Sequence, residues 1–343
     1  MQNASHRLDY LDASRGIAAL VVFLAHFQLT LLPDLSATSA YRSVLRIFLD
    51  ADAAVLYFFL LSGYVLTLSL RRHAVTDGGS YVNFIGRRVF RLYPAFLLTL
   101  SLAFLLLRFI HLPTGTWLDG FWKTEPTLSS FFGQALLAFR LPNDPVLRLL
   151  PHDWTLSIEM AVAFILPFLV LFANRSAGMA LLGVYAAVRL LHLDPFVFDF
   201  MLGVFMATAT PERNPVFGRR SVRAVLLLAG LIILTAGYTY SDVMKSFDRK
   251  LLIHHKTIGV SLLFLLLLSS GWAQRILSSK PLVFLGRISY SVYLLHFIVL
   301  YALVMHFPAM NPLYLFVLYA VITIVLAWIT YIRIERPFNR VLK

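Results

Sequence analysis

Five ionisable side chains stand in or beside stretches that otherwise read as membrane helix: Arg15 and His26 in "SRGIAALVVFLAHF", Arg88 and Arg91 in "FIGRRVFRLYPAF", and Glu159 in "WTLSIEM". An ionisable group within a bilayer costs about 2.5 kcal/mol or more unless it is paired or used. Each therefore asks for a partner or a task. His26 follows Arg15 by eleven residues, about 16 Å along a helix, so the two cannot touch. The preceding turn offers His26 only Val22 and Phe23, and its partner must come from another helix or from a ligand. Two readings fit: a tie between helices, or a general base whose neutral imidazole is favoured by desolvation.

Glu159 falls about one and a half turns inside a span starting at Trp154, which places it near the estimated depth of His26. A carboxylate there either orients and stabilises the imidazole, as the acid of a histidine dyad does, or ties its helix in place. Arg88 and Arg91, three apart, share one helix face, and Arg87 lies four from Arg91. Positive-inside placement explains any one of them. Three arginines running into the apolar "LYPAF" also suit bidentate binding of a phosphorylated cytoplasmic ligand. His296, in "ISYSVYLLHFIVL", lies about 10 Å inside a span starting at Ser289 and reads equally as a structural tie or as pathway lining.

Other chemistries lack support. No spacing of the ten histidines, the pair His254 and His255 included, suggests a metal site, and none is assigned. There is no phosphate-cradling glycine loop and no "GxSxG" elbow, so the common ATPase and serine hydrolase readings have no footing. The absence of cysteine removes disulfides, thiolate metal sites and a cysteinyl acyl intermediate.

The elements that must position these residues are membrane helices. Of 343 residues 59% are hydrophobic and 14% charged, and the mean hydropathy is +0.77, far from a soluble domain. Hydropathy and length predict an all-α polytopic protein of about ten spans. The first begins near Asp12 and is too long for a removed signal peptide. The others run near Ala53 to Leu70, Leu92 to Ile110, Trp154 to Phe172, Met179 to Leu191, Phe196 to Ala209, Val222 to Tyr238, Ile258 to Trp272, Ser289 to His306 and Leu313 to Ile332. The fifth and sixth are short and interrupted by "RLLHLDP". An even number puts both termini on one side. Roughly 19 of the 30 Lys and Arg fall on that side, which makes it cytoplasmic and turns the net charge of +13 into a topology signal rather than a nucleic-acid footprint. One membrane domain over 1–343 is expected, with His111 to Asp153 outside and "LSSFFGQALLAFRL" along the interface.

Six segments in order, "LDASRGIAALVVFLAHF", "YFFLLSGYVL", "FIGRRVFRLYPAF", "WTLSIEM", "LGRISYSVYLLH" and "IERPF", give the chain a close resemblance to the acyltransferase 3 family of bacterial integral membrane O-acyltransferases. The resemblance covers nearly the whole chain. It implies transfer of an acyl group, usually acetyl, from cytoplasmic acyl-CoA to a hydroxyl of a carbohydrate, glycolipid or lipid-linked sugar, in the bacterial inner membrane. On the matching positions it implies that Arg15, Arg88 and Arg91 hold the phosphates of CoA, that His26 is the general base, and that Glu159 is its partner. Ala13 and Ser14 replace the family's usual Gly-Leu, and Leu56 stands where a polar residue is frequent. No SGNH-type domain is expected after "IERPF". From a different class, a transporter of an amphiphile or sugar also places ionisable residues within the membrane. It would move substrate without forming an acyl product.

Overall fold

The computed structural model describes residues 9–37, 44–109, 113–122, 125–137, 149–239 and 249–341. Among them all regular structure is helical. The long elements are α1 (Asp9–Leu31), α2 (Ala51–Arg72), α3 (Gly78–Phe109), α4 (Leu128–Ala135), α5 (Trp154–Arg175), α6 (Ala177–Leu190), α7 (Phe196–Ala209), α8 (Arg220–Thr239), α9 (Arg249–Ser269), α10 (Gly271–Leu277), α11 (Lys280–His306) and α12 (Pro312–Thr330). A π turn (Tyr331–Glu335) and α13 (Arg336–Val341) follow. Starts are signalled locally: the Asp50 carboxylate accepts from the Ala53 amide ahead of α2, Thr127 and Ser130 form a capping box on α4, and Asn311 caps α12 with Pro312 next. Each satisfies amides that the first helical turn leaves unpaired.

Six helices among the described residues are long and apolar enough to cross a membrane, α1, α2, α3, α5, α11 and α12 with its extension. The count is seven if His255–Ser269 and α10, which meet at 92°, form one broken span. This corrects the expectation of about ten. The helices α6 and α7 have 14 residues each, about 21 Å of rise against some 30 Å of hydrocarbon. The fully described part of α8 ends at residue 235, too short to be counted. The parity argument for the termini goes with the count.

The chain forms two compact units, each discontinuous in sequence. The first comprises residues 1–25, 34–74 and 166–287, the second 26–33, 75–165 and 288–343; α1, α5 and α11 supply residues to both. In the first unit α2 and α7 meet backbone to backbone. A methyl group on Gly63 would overlap the Phe200 carbonyl, and one on Gly203 the Leu60 carbonyl, the close approach small residues permit between membrane helices. Lys256 Nζ donates to Asp50 at 2.9 Å and to Asp52 at 3.0 Å, so the residue that caps α2 also neutralises a lysine of α9. An apolar cavity of about 310 Å³ in this unit is lined by Ile17, Ala18, Ala54, Leu263 and Leu267, among others.

In the second unit, Leu92, Phe96 and Leu100 of α3 form one buried core with Leu118, Trp122, Leu156, Met160, Leu294, Phe297 and Tyr301. The Tyr290 hydroxyl donates to the Leu92 carbonyl at 2.7 Å, and the Ser291 hydroxyl donates to the buried Glu335 carboxylate in the π turn. This core seats the residues described next. The "LSSFFGQALLAFRL" stretch begins as α4, with Leu128 and Phe132 exposed; its residues from 138 on lie outside the described residues.

Candidate active site

The site is built around His26, near the end of α1. Its Nδ1 lies 2.8 Å from Nε2 of His296, a fully buried residue of α11. The two ring planes are parallel within 2° and the centroids 5.1 Å apart. That separation equals the N···N distance plus two ring radii, so the rings meet in line, edge to edge, which is good hydrogen-bond geometry. His296 Nδ1 lies 2.7 Å from the Tyr293 carbonyl and 3.2 Å from that of Val292. A carbonyl only accepts, so Nδ1 of His296 carries the hydrogen and, in the neutral ring, Nε2 accepts. His26 must then donate from Nδ1, which leaves the lone pair on its Nε2. That atom has no hydrogen-bond partner among the described residues.

Aromatic rings hold this pair. Trp117 packs 5.9 Å from the His26 ring and Phe297 meets it edge-on at 5.3 Å. Trp117 is itself fixed: its indole N–H donates to the Thr30 hydroxyl at 2.9 Å, and Thr30 donates to the His26 carbonyl at 2.7 Å. A third imidazole, His152, stands 5.2 Å from His296 and is 5% exposed. Neither of its ring nitrogens has a geometric hydrogen-bond partner among the described residues, although the Leu294 backbone is near. Burial first, and then His296 and His26, hold His152 well below the ordinary histidine value, so it is neutral.

The arginines occupy another level of the same unit. Arg88 is 6% exposed and forms an ion pair with Glu159. Arg91, on the same face of α3, is exposed, and Arg87 is half-buried; neither has a salt bridge or hydrogen bond among the described residues. Tyr290 lies within electrostatic reach of Arg88, Arg91, Glu159 and Glu335. From Tyr290 to His296 is six residues of α11, about 9 Å of rise. One helix thus links a cationic end to an imidazole pair.

The expected pairing of Glu159 with His26 is not what the structure contains. Glu159 meets Arg88, and His26 meets His296. Arg15 lies in the first unit, half-buried, paired with Asp12 at 3.1 Å. Among the hydroxyls of α5 and α11, that of Tyr290 is committed to Leu92 and that of Tyr293 contacts Thr155 at 2.9 Å and the His152 carbonyl at 3.2 Å. Ser157 makes only a long contact of 3.4 Å to the Asp153 carbonyl. No group of three or more His, Cys, Asp or Glu among the described residues has metal-site geometry, the three histidines included.

A sequence profile of the acyltransferase-domain family, acyltransferase 3, matches residues 8–332. The chain belongs to this family. It is 29% identical over 330 residues to the acyltransferase MdmB of Streptomyces mycarofaciens, an alignment covering 86% of this chain and 79% of that protein. It is 22% identical over 330 residues to the O-acetyltransferase OatA of several Staphylococcus aureus strains, covering 82% of this chain and 52% of OatA. The chain thus spans about half the length of OatA. No solved structure matches it. These acyltransferase relatives, with the apolar helices, make the chain a multi-pass membrane acyltransferase. Within the acyltransferase region, His26 comes from "LVVFLAHF", the arginines from "GRRVFR", Glu159 from "WTLSIEM" and His296 from "SYSVYLLH". Sequence reading named His296 but not its partner, and it missed Trp117, Thr30 and His152. A histidine next to a span start is the one signal that marked His152.

Proposed function

We propose that this chain transfers an acyl group, acetyl foremost, from a coenzyme A thioester to a hydroxyl of a carbohydrate, glycolipid or lipid-linked sugar. The observation that carries this reading is the bonding of His26: its Nδ1 is engaged with His296, and its Nε2 has no hydrogen-bond partner among the described residues. That is the form a general base needs. Nε2 takes the proton of the acceptor hydroxyl while its oxygen bonds to the thioester carbon. The tetrahedral intermediate then expels the thiolate as the C–S bond breaks, and the imidazolium returns the proton to sulfur. Transfer is direct, in keeping with a chain that has no cysteine.

Arg91 and Arg88 bind the donor's phosphates in this reading, Arg91 at the exposed end and Arg88 as the charge beneath it, while the uncharged pantetheine arm reaches inward toward His26. The "GRRVFR" end faces the cytoplasm of a bacterium, with the chain in its inner membrane. Glu159 holds Arg88 rather than His26.

The test is release of free CoA from acetyl-CoA by the purified protein in nanodiscs, with a cell-envelope carbohydrate extract as acceptor. Acceptor-dependent release is expected in wild type and absent in His26→Ala. Arg91→Ala needs about tenfold more acetyl-CoA, yet handles acetyl-pantetheine, which lacks the phosphates, as wild type does. Release that survives in His26→Ala, or a stable acetyl label on the protein itself, overturns the reading.

A further inference from the structure

We infer that His296 is the positioning partner of His26 and shares the proton His26 gains, so that two imidazoles do in this site what an imidazole and a carboxylate do in a triad. The inference rests on the reading of His26 as base. Four observations carry it. The Nδ1···Nε2 contact of 2.8 Å runs in line between parallel rings. His296 is 0% exposed, whereas His26 retains some exposure, so only one of the two can meet a substrate. The carbonyls of Tyr293 and Val292, in His296's own helix, fix its Nδ1 as a donor. Finally, no carboxylate bonds to either ring among the described residues; Glu159 is with Arg88.

The proton balance closes without an added group. When His26 Nε2 accepts the hydroxyl proton, the hydrogen on its Nδ1 already lies in the bond to His296 Nε2. Its transfer leaves His26 as the other neutral tautomer and His296 as an imidazolium, whose Nδ1–H still points at the Tyr293 carbonyl. Reversal restores both rings as the thiolate leaves protonated. Among the described residues the titratable groups facing the pair are His152, 5.2 Å from His296, and Tyr293, at 6.0 Å; Asp153 and Glu159 act on the Tyr293 hydroxyl. Trp117 and Phe297, both uncharged, also pack on His26. With no carboxylate bonded to either ring among the described residues, the imidazolium is a ready acid toward the thiolate.

The pH dependence of acetyl transfer separates this role from a structural one. His296→Ala is expected to lower kcat about 100-fold with the KM for acetyl-CoA unchanged. His296→Gln keeps an acceptor for His26 Nδ1, so it recovers part of kcat and leaves the acid limb of the pH profile in place. His296→Glu puts a carboxylate against His26, and the acid limb moves upward by about 1–3 pH units. Packing alone predicts no such movement. The inference is overturned if His296→Ala keeps kcat within about threefold of wild type, or if His296→Glu leaves the acid limb where it was. Should the alanine variant fail to fold, the glutamine and glutamate variants carry the test alone. An active His26→Ala would instead remove the base reading; an inactive His26→Ala beside wild-type His296 variants removes only this inference.

Discussion

Replacing Glu159 by glutamine tests how the buried guanidinium of Arg88 is tolerated. The Arg88 side chain is 7% exposed and that of Glu159 20%, and the Arg88 Nε has no hydrogen-bond partner among the described residues. Breaking a buried pair by removing one member costs about 3–5 kcal/mol, because the remaining charge stays in a low-dielectric site. Partial exposure of Glu159 lets water reach the pair and puts this case at the lower end, about 3 kcal/mol. That is about two decades in the unfolding equilibrium. Denaturation by SDS in mixed micelles, followed through tryptophan fluorescence, reads the difference. The double variant Arg88→Met with Glu159→Met removes both charges and should return to within about 1 kcal/mol of wild type. If Arg88 also contributes to phosphate binding, the double variant stays impaired in function while regaining stability, with a KM for acetyl-CoA raised about 10- to 100-fold, as a charged hydrogen bond of 1.5–3 kcal/mol implies. A Glu159→Gln protein as stable as wild type, or a double variant less stable than either single one, refutes the electrostatic argument. A double variant with unchanged KM refutes the phosphate role and leaves the ion pair standing.

Other perturbations follow the same logic. Lys256→Met takes the cation from beside the Asp50 carboxylate, 3% exposed, and should cost about 3–5 kcal/mol in the same unfolding assay, with Asp50→Asn restoring most of it; additive losses would refute the pairing. Gly203→Ala sets a methyl against the Leu60 carbonyl where α2 and α7 touch, and a loss of about 1–3 kcal/mol is expected; an unchanged midpoint would mean the contact is loose. His152 is neutral in the folded protein because burial and the neighbouring imidazoles hold it low. The unfolded chain takes up that proton below about pH 6.5, so this contribution to stability is whole above 6.5 and declines as pH falls through it. His152→Phe removes the titrating ring, and midpoints measured between pH 7 and 5 should fall less steeply than in wild type; an equal slope excludes His152 as the source.

Much of this protein is legible in its amino-acid order. Apolar runs long enough to cross a bilayer mark the helices, because an unpaired backbone amide in hydrocarbon leaves a spanning segment little choice but helix. His26, His296 and the arginines of "GRRVFR" stand out as ionisable groups in apolar surroundings, and six ordered segments carry the family. Partnership was less legible, because hydropathy shows where the apolar core of a helix lies and not where the helix starts. The span of His296 reads from Ser289, yet α11 starts at Lys280, so His296 is sixteen residues along it, about 24 Å. His26 is seventeen residues into α1, about 26 Å. Likewise Arg88 reads as lying ahead of a span at Leu92, whereas α3 starts at Gly78 and buries Arg88 ten residues in, level with Glu159. The single chain therefore determined which residues need a partner, since the cost of an ionisable group in an apolar stretch is a local property. Only the tertiary structure decided which partner each one has, since hydrogen bonds and ion pairs act over about 3 Å and depend on where separate helices start and how they pack.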